Sequence, residues 1–294
     1  MSSSALHTMT VHPLHPPFAG EVAGVDVRRI QDPAQVADLR ELLDEFGVLV
    51  FRKQPFEDDE QVAFAQRLDG ELHVKTGLAV IAQEKARLKN AAVTDISNLD
   101  ESDEPMARDD RRRMYSLGNR LWHTDASFQD PPGRYSMLSA KTVPPEGGET
   151  EYADMRAAYD ALPDSLKRRI EGLRAHHSIV HSRRTIGFTD FSPQEEAALP
   201  GADHPLVRVL PGSQRRSLYI ASHASHIIDW PVPEGRLLLM DLMARATRPK
   251  FVYRHHWRAG DFVVWDNRCT MHRGLPFDET RYRRDLRRVT TLDL

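Results

Sequence analysis

Leu121-Trp122-His123-Thr124-Asp125 is the stretch on which the reading of this chain turns. On an extended strand, side chains alternate with period two, so His123 and Asp125 are expected on one face of the strand that carries Trp122. Such a pair suits two ligands of one metal ion. The best candidate for a third lies far downstream, at His272 in Asn267-Arg268-Cys269-Thr270-Met271-His272-Arg273-Gly274. It follows the run Gly260-Asp261-Phe262-Val263-Val264-Trp265-Asp266, which reads as a strand with a tight exit. Two histidines and one carboxylate on one face of a metal, with the other positions open, form the facial triad of non-haem Fe(II) oxygenases.

Other histidines compete for that role. His223 and His226 are three apart and would meet on a helical turn, while His176-His177 and His255-His256 are adjacent pairs that point to opposite faces of a strand. No helix carries two histidines bracketing a glutamate in the zinc-protease manner. The single cysteine, Cys269, excludes an internal disulfide, thiolate zinc and iron–sulfur sites, and fits a reducing compartment.

The 294 residues suffice for one large domain or two small ones. A formal net charge of -3 gives no global attraction to nucleic acid or anionic membrane. Met1 to His15 lacks the basic and apolar regions of a secretory signal, and no run is apolar enough to span a bilayer, so a cytoplasmic location is expected.

Working outward, residues 1–18 read as irregular and Glu21 to Val27 as a short strand. Asp32-Pro33 starts a helix with Val36, Leu39, Leu42, Leu43 and Phe46 at helical spacing, stopped by Gly47. Val48 to Phe51 is a buried type of strand, and Asp58 to Leu68 a second helix. Between Asp69 and Arg120 the periodicity weakens, apart from a strand near Ala92 to Ile96, and an active-site lid or an ordinary surface insertion is expected there. Further strands are expected at Tyr135–Lys141, Glu149–Asp154, Ala175–His181, Pro205–Leu210, Ser217–Ile220, Phe251–Trp257, Asp261–Trp265 and Arg287–Leu292. Helices are expected at Met155–Leu162, Asp164–Leu173 and Pro233–Thr247. No repeat or linker interrupts the chain, which reads as a single domain over 1–294. The predicted class is mainly β with helical additions (α+β), a sandwich or jelly roll.

Together, Trp122-His123-Thr124-Asp125, Gly147-Gly148-Glu149-Thr150, Trp265-Asp266-Asn267-Arg268, His272-Arg273-Gly274 and the Arg283–Arg288 cluster resemble the TauD/TfdA family of Fe(II)- and 2-oxoglutarate-dependent dioxygenases. The resemblance runs from about His15 to Leu294 and is nearest to the 2,4-dichlorophenoxyacetate-oxidising branch. Arg134 to Ala140, Asp154 to Pro163 and His223-Ala224-Ser225-His226 support that placement. It implies a double-stranded β-helix, iron held by His123, Asp125 and His272, and 2-oxoglutarate and O2 as cosubstrates. It also implies that Thr150 and Arg284 hold the far carboxylate of 2-oxoglutarate. A guanidinium grips a carboxylate through two parallel hydrogen bonds, and a threonine hydroxyl adds a third.

Arg288 lies four positions after Arg284, on the same face of a strand, and is assigned to the acidic group of a small anionic substrate such as an aryloxy acid. The segment between His272 and Arg284 carries one residue more than the family usually has, which leaves Arg283 and Arg287 as alternates, and a solvated basic face is the plainer reading of the cluster. Lys75 in the expected lid, His223 and Ser97 are further candidates for substrate contact, beside Asn98, and Trp122 is expected as a wall beside the metal. A sulfonate dioxygenase of the same family and a non-catalytic jelly-roll metal-binding protein are the alternatives. Self-association stays open.

Overall fold

Val48 to Phe51 is buried at every position, and its alternate side chains go to opposite sides of a sheet. Val48 and Val50 pack in one apolar cluster; Leu49 and Phe51 pack in another. Phe262 to Trp265 divides in the same way, so these strands have no solvent face, which is why they read as continuous apolar runs.

The computed structural model describes residues 9–15, 17–74, 80, 81 and 87–294. Its strands in chain order are β1 (Thr10–His15), β2 (Ala19–Ala23), β3 (Val48–Phe51), β4 (Thr94–Ser97), β5 (Gly133–Thr142), β6 (Thr150–Asp154), β7 (Arg174–His177), β8 (Ala202–Pro205), β9 (Val207–Val209), β10 (Arg216–Leu218), β11 (Ala224–Ile227), β12 (Val252–His255), β13 (Phe262–Asp266), β14 (Thr270–Gly274) and β15 (Asp285–Leu292). A seven-stranded sheet runs β1-β2-β3-β13-β5-β15-β4, antiparallel except for the β2–β3 pair. A three-stranded sheet, β12-β6-β14, faces it. Tyr152 and Tyr253 of the small sheet pack with Leu138, Val263, Trp265 and Leu286 of the large one, so a core lies between them.

Helices close both outer faces. Pro33–Phe46 starts where the Asp32 side chain accepts from the Ala34 amide at 2.9 Å and ends at Gly47, whose φ of +78° favours a residue without Cβ. Asp58–Asp69 opens with a reciprocal Glu57/Glu60 capping box. Its buried Gln61 donates to the carbonyls of Met137 and Arg287, both at 3.0 Å, which fastens the helix across β5 and β15. Val232–Ala246 covers the far side of the small sheet, with Leu238, Leu239 and Leu242 packed near Ala153 and Met271. The result is a mixed α+β fold with many strands.

Several expectations are corrected. Thr10–His15 is not irregular: it pairs with β2, an edge the mixed polar sequence hid. His123-Thr124-Asp125 is not a continuous strand. Only His123 makes a bridge, and Asp125 begins a turn, so the two side chains converge by a bend rather than by strand alternation. The expected strand over 175–181 stops at His177, and Ile179–Thr185 is helical because the Ser178 side chain caps it by accepting from the His181 amide. His223 and His226 share no helical turn, since Ala224–Ile227 is a strand on β7. Within 69–120, Arg111–Ser116 and Leu117–Arg120 are short helices that weak periodicity concealed. Lys75, and with it part of the expected lid, lies outside the described residues.

Candidate metal and substrate site

His123 and His272 are joined through their backbones. The His123 amide donates to the His272 carbonyl at 2.9 Å, and the His272 amide returns a bond of 2.7 Å. This exchange ties the loop before β5 to β14 and sets the two rings 4.2 Å apart, centre to centre. Asp125 completes the group. Its Oδ1 lies 3.8 Å from His123 Nε2 and its Oδ2 3.7 Å from His272 Nε2. All three residues are buried, and their ligand atoms lie within 4.8 Å of one another.

The protonation states suit a cation. His123 Nδ1 is 2.8 Å from the Leu121 carbonyl, so that nitrogen carries the proton and Nε2 presents a lone pair. Burial pushes the His123 imidazole down to about 4 and His272 well below its ordinary value, keeping both neutral near pH 7. Burial alone would raise the Asp125 carboxyl, but Arg288, His272 and His123 outweigh it and hold it at about 2. Two neutral imidazoles and one carboxylate fit a divalent ion such as Fe(II).

The carboxylate is held from behind by residues the sequence reading did not single out. Ser136 Oγ donates to Asp125 Oδ2 at 2.8 Å. Asn267 Nδ2 donates to Ser136 Oγ at 2.9 Å, and Asn267 Oδ1 accepts from the Asp125 amide at 3.0 Å and from Trp265 Nε1 at 3.1 Å. Trp265 also packs against His272, with ring centres 4.7 Å apart. Asn267 stood within a quoted motif, but its role depends on β5 and on the 121–125 loop, which no local pattern reveals.

A cavity at this group is lined by His123 and His272, by Thr150 and Arg284, and by Ser97, Asn98, Leu138, Trp265, Phe277 and Arg288. Thr150 begins β6, and its Oγ1 accepts from Trp257 Nε1 at 3.0 Å. Arg284 Nε donates to the Gly148 carbonyl at 3.2 Å, and burial pulls its pKa down to about 10. Among the described residues it has no carboxylate partner. A Cβ on Gly148 would come 3.3 Å from Arg284 Cδ, so the Gly147-Gly148 turn leaves room for this side chain.

Arg288 reaches the metal group itself: its Nη1 donates to Asp125 Oδ1. The two alternates are otherwise engaged. Arg287 pairs with Asp95 and Asp285, and Arg283, half exposed, pairs with Glu104. Ser97 ends β4 and accepts from the Leu99 amide at 3.2 Å. His223 is buried 5.9 Å from the His123 ring centre, its Nδ1 3.0 Å from Ser182 Oγ, and it lines a second, smaller cavity with Asp125 and Arg288. Trp122 is not a wall of either cavity. It packs behind the small sheet, with the Arg273 guanidinium 4.7 Å over its ring.

The family described as "Taurine catabolism dioxygenase TauD, TfdA family" matches residues 10–290. The chain is 48% identical over 286 residues to the alpha-ketoglutarate-dependent 2,4-dichlorophenoxyacetate dioxygenase of Cupriavidus pinatubonensis, covering 97% of this chain and 98% of that one. It is also 48% identical, over 279 residues, to the enzyme of the same name from a Burkholderia species, covering 95% and 93%. Among solved structures, AAD-2 in complex with Mn(II) and N-oxalylglycine superposes with a TM-score of 0.93 at 42% identity, covering 97% of this chain and 98% of that one. With a buried His-Asp-His group inside a matching fold and a family match over nearly its whole length, the chain belongs to the TauD/TfdA family of dioxygenases.

Proposed function

We propose that this protein is an Fe(II)- and 2-oxoglutarate-dependent dioxygenase that hydroxylates an aryloxyalkanoate, such as 2,4-dichlorophenoxyacetate, beside the ether oxygen. The observation that carries this reading is one cavity in which the His123/Asp125/His272 group is flanked by cations, Arg284 with Thr150 and Arg288. The names of the close relatives favour this substrate class. The two facing sheets are read as a double-stranded β-helix within a single domain over 1–294.

His123, Asp125 and His272 would hold the iron. Bound Fe(II) supplies activation of dioxygen, coupled to oxidative decarboxylation of 2-oxoglutarate to succinate and carbon dioxide. Arg284 and Thr150 grip the far carboxylate of that cosubstrate. Arg288 draws the acidic group of the substrate toward Asp125 and so aims the carbon between ether oxygen and carboxylate at the metal. Leu138, Trp265 and Phe277 give the cavity an apolar wall that excludes water. Ser97 and His223 border the space left for the ring. Hydroxylation at that carbon gives a hemiacetal, which breaks its carbon–oxygen bond to release a phenol and glyoxylate.

A small anion is the partner read here, and the arginine cluster does not argue for nucleic acid, because Arg283 and Arg287 are already paired with carboxylates. No helix among the described residues is long and apolar enough to cross a membrane; a cytoplasmic location is part of the proposed reading. A guanidinium also receives a sulfonate, so taurine is the competing substrate class. Incubation with Fe(II), 2-oxoglutarate and either compound separates them: phenol release from 2,4-dichlorophenoxyacetate is expected, and sulfite release from taurine without phenol would overturn the assignment. Absence of succinate with either compound would favour a non-catalytic metal-binding protein.

A further inference from the structure

Arg183, on the helix Ile179–Thr185, is 2% exposed. Arg112, Arg156, Arg268 and Arg287 are buried as well, and each has a carboxylate partner, Asp110, Asp154, Asp266 and Asp285 in turn; Arg284, desolvated and without one, is read above as the anchor of the cosubstrate. Arg183 has none among the described residues. Its hydrogen bonds go to neutral oxygens, Nη2 to Asn119 Oδ1 at 2.9 Å and Nη1 to Ser182 Oγ at 3.3 Å, and among the described residues its Nε has no partner. The guanidinium carbon lies 4.5 Å from the centre of the Tyr115 ring. A buried cation without a counter-ion costs several kcal/mol, even after relaxation, so its retention calls for an anion that arrives from outside.

Its surroundings fit that demand. Arg183 lines the smaller cavity together with Arg288, Asp125, His123, Phe128 and Ile179. Arg288 is near enough to lower the Arg183 pKa further, after burial. Asp125 is the one carboxylate among the described lining residues, and it faces two guanidinium groups. A bound divalent ion enlarges that positive excess. Gly118 clears the way for the side chain: a Cβ there would lie 2.4 Å from Arg183 Cδ, Nε and Cζ.

We propose that Arg183 is a second anchor for the carboxylate of the organic substrate, acting across the cavity from Arg288, with Phe128 and Ile179 as apolar contacts beside it. Arg288 is partly engaged by Asp125, whereas Arg183 Nε has no partner among the described residues and the guanidinium offers a planar fork suited to a carboxylate. This inference rests on the aryloxyalkanoate reading, and its test is kept separable from that reading by measuring binding apart from turnover.

The experiment is anaerobic calorimetric titration of the Mn(II)- and 2-oxoglutarate-loaded protein with phenoxyacetate and with its neutral amide. The wild type is expected to bind the acid at least about tenfold more tightly than the amide. Arg183→Met is expected to lose at least about tenfold in affinity for the acid while its affinities for the amide and for 2-oxoglutarate stay within about twofold. Arg183→Lys keeps the charge without the fork, and retains a weakened preference for the acid. Acid affinity unchanged in Arg183→Met, parallel losses for acid and amide in either variant, or no preference for the acid in the wild type would overturn the assignment. A wild type that binds phenoxyacetate with these variant effects but releases no phenol contradicts the aryloxyalkanoate reading and upholds the Arg183 anchor.

Discussion

Asp125 and Ser136 meet through a hydrogen bond of 2.8 Å, the Ser136 hydroxyl donating to Oδ2 of the carboxylate. The contact joins a turn to the centre of β5, and Ser136 is itself 2.8 Å from the Thr290 hydroxyl on β15. The only carboxylate of the metal group is therefore oriented by the large sheet, while the two histidines are tied to each other and to the small one.

Ser136→Ala removes that orienting bond without touching a ligand. Metal affinity is expected to fall about 10- to 100-fold. Titration of the purified protein with Mn(II) or Co(II) measures it, and unchanged affinity would show that Asp125 needs no such support.

Asn267→Leu leaves the Asp125 amide and the Trp265 indole N–H without their acceptor in a buried site. Unsatisfied buried donors cost about 1–3 kcal/mol each, so a loss of about 2–4 kcal/mol in unfolding free energy is expected. Urea denaturation followed by circular dichroism checks it; a loss below about 1 kcal/mol would mean that water replaces the amide.

Acid should weaken the fold through buried histidines away from the metal group. Burial lowers His177 to about 3 and His181 to about 4. Below about pH 6.5 the unfolded chain takes up protons on these imidazoles and the native chain does not. Stability is therefore expected to be full above that pH and to decline as pH drops toward 4. Thermal midpoints measured across pH 4–8 check this, and His177→Gln, if it folds, should flatten the decline.

Arg284→Gln deletes the cation opposite Thr150 in the main cavity. The KM for 2-oxoglutarate is expected to rise on the order of 100-fold, since a desolvated charge-assisted pair is worth about 2–5 kcal/mol. The KM for the aryloxy acid, held by other residues, should stay within about threefold. Steady-state assays varying each compound in turn distinguish the two.

Elements whose cause is local were legible in the sequence. Pro33–Phe46 has its cap, its apolar stripe and its stopping glycine within the helix itself, and β3 is apolar at each position. The residues His123, Asp125 and His272 could be nominated because metal ligands come from few residue types. Their convergence could not be derived, since it comes from a turn at Asp125 and a main-chain bridge between segments far apart in sequence. Trp122 and Trp265 look alike in isolation, but Trp265 points between the sheets toward His272, while Trp122 packs behind the small sheet under Arg273. Arg183 sits in the helix Ile179–Thr185, beyond the end of the strand expected over Ala175–His181, and its isolation from carboxylates among the described residues is a property of three dimensions alone.

The central claim is tested most directly by product stoichiometry. Wild-type protein incubated with Fe(II), 2-oxoglutarate, oxygen and 2,4-dichlorophenoxyacetate is predicted to form succinate, 2,4-dichlorophenol and glyoxylate in equal amounts, and His123→Ala to form none of them. Succinate without phenol, or full product formation by His123→Ala, would contradict it.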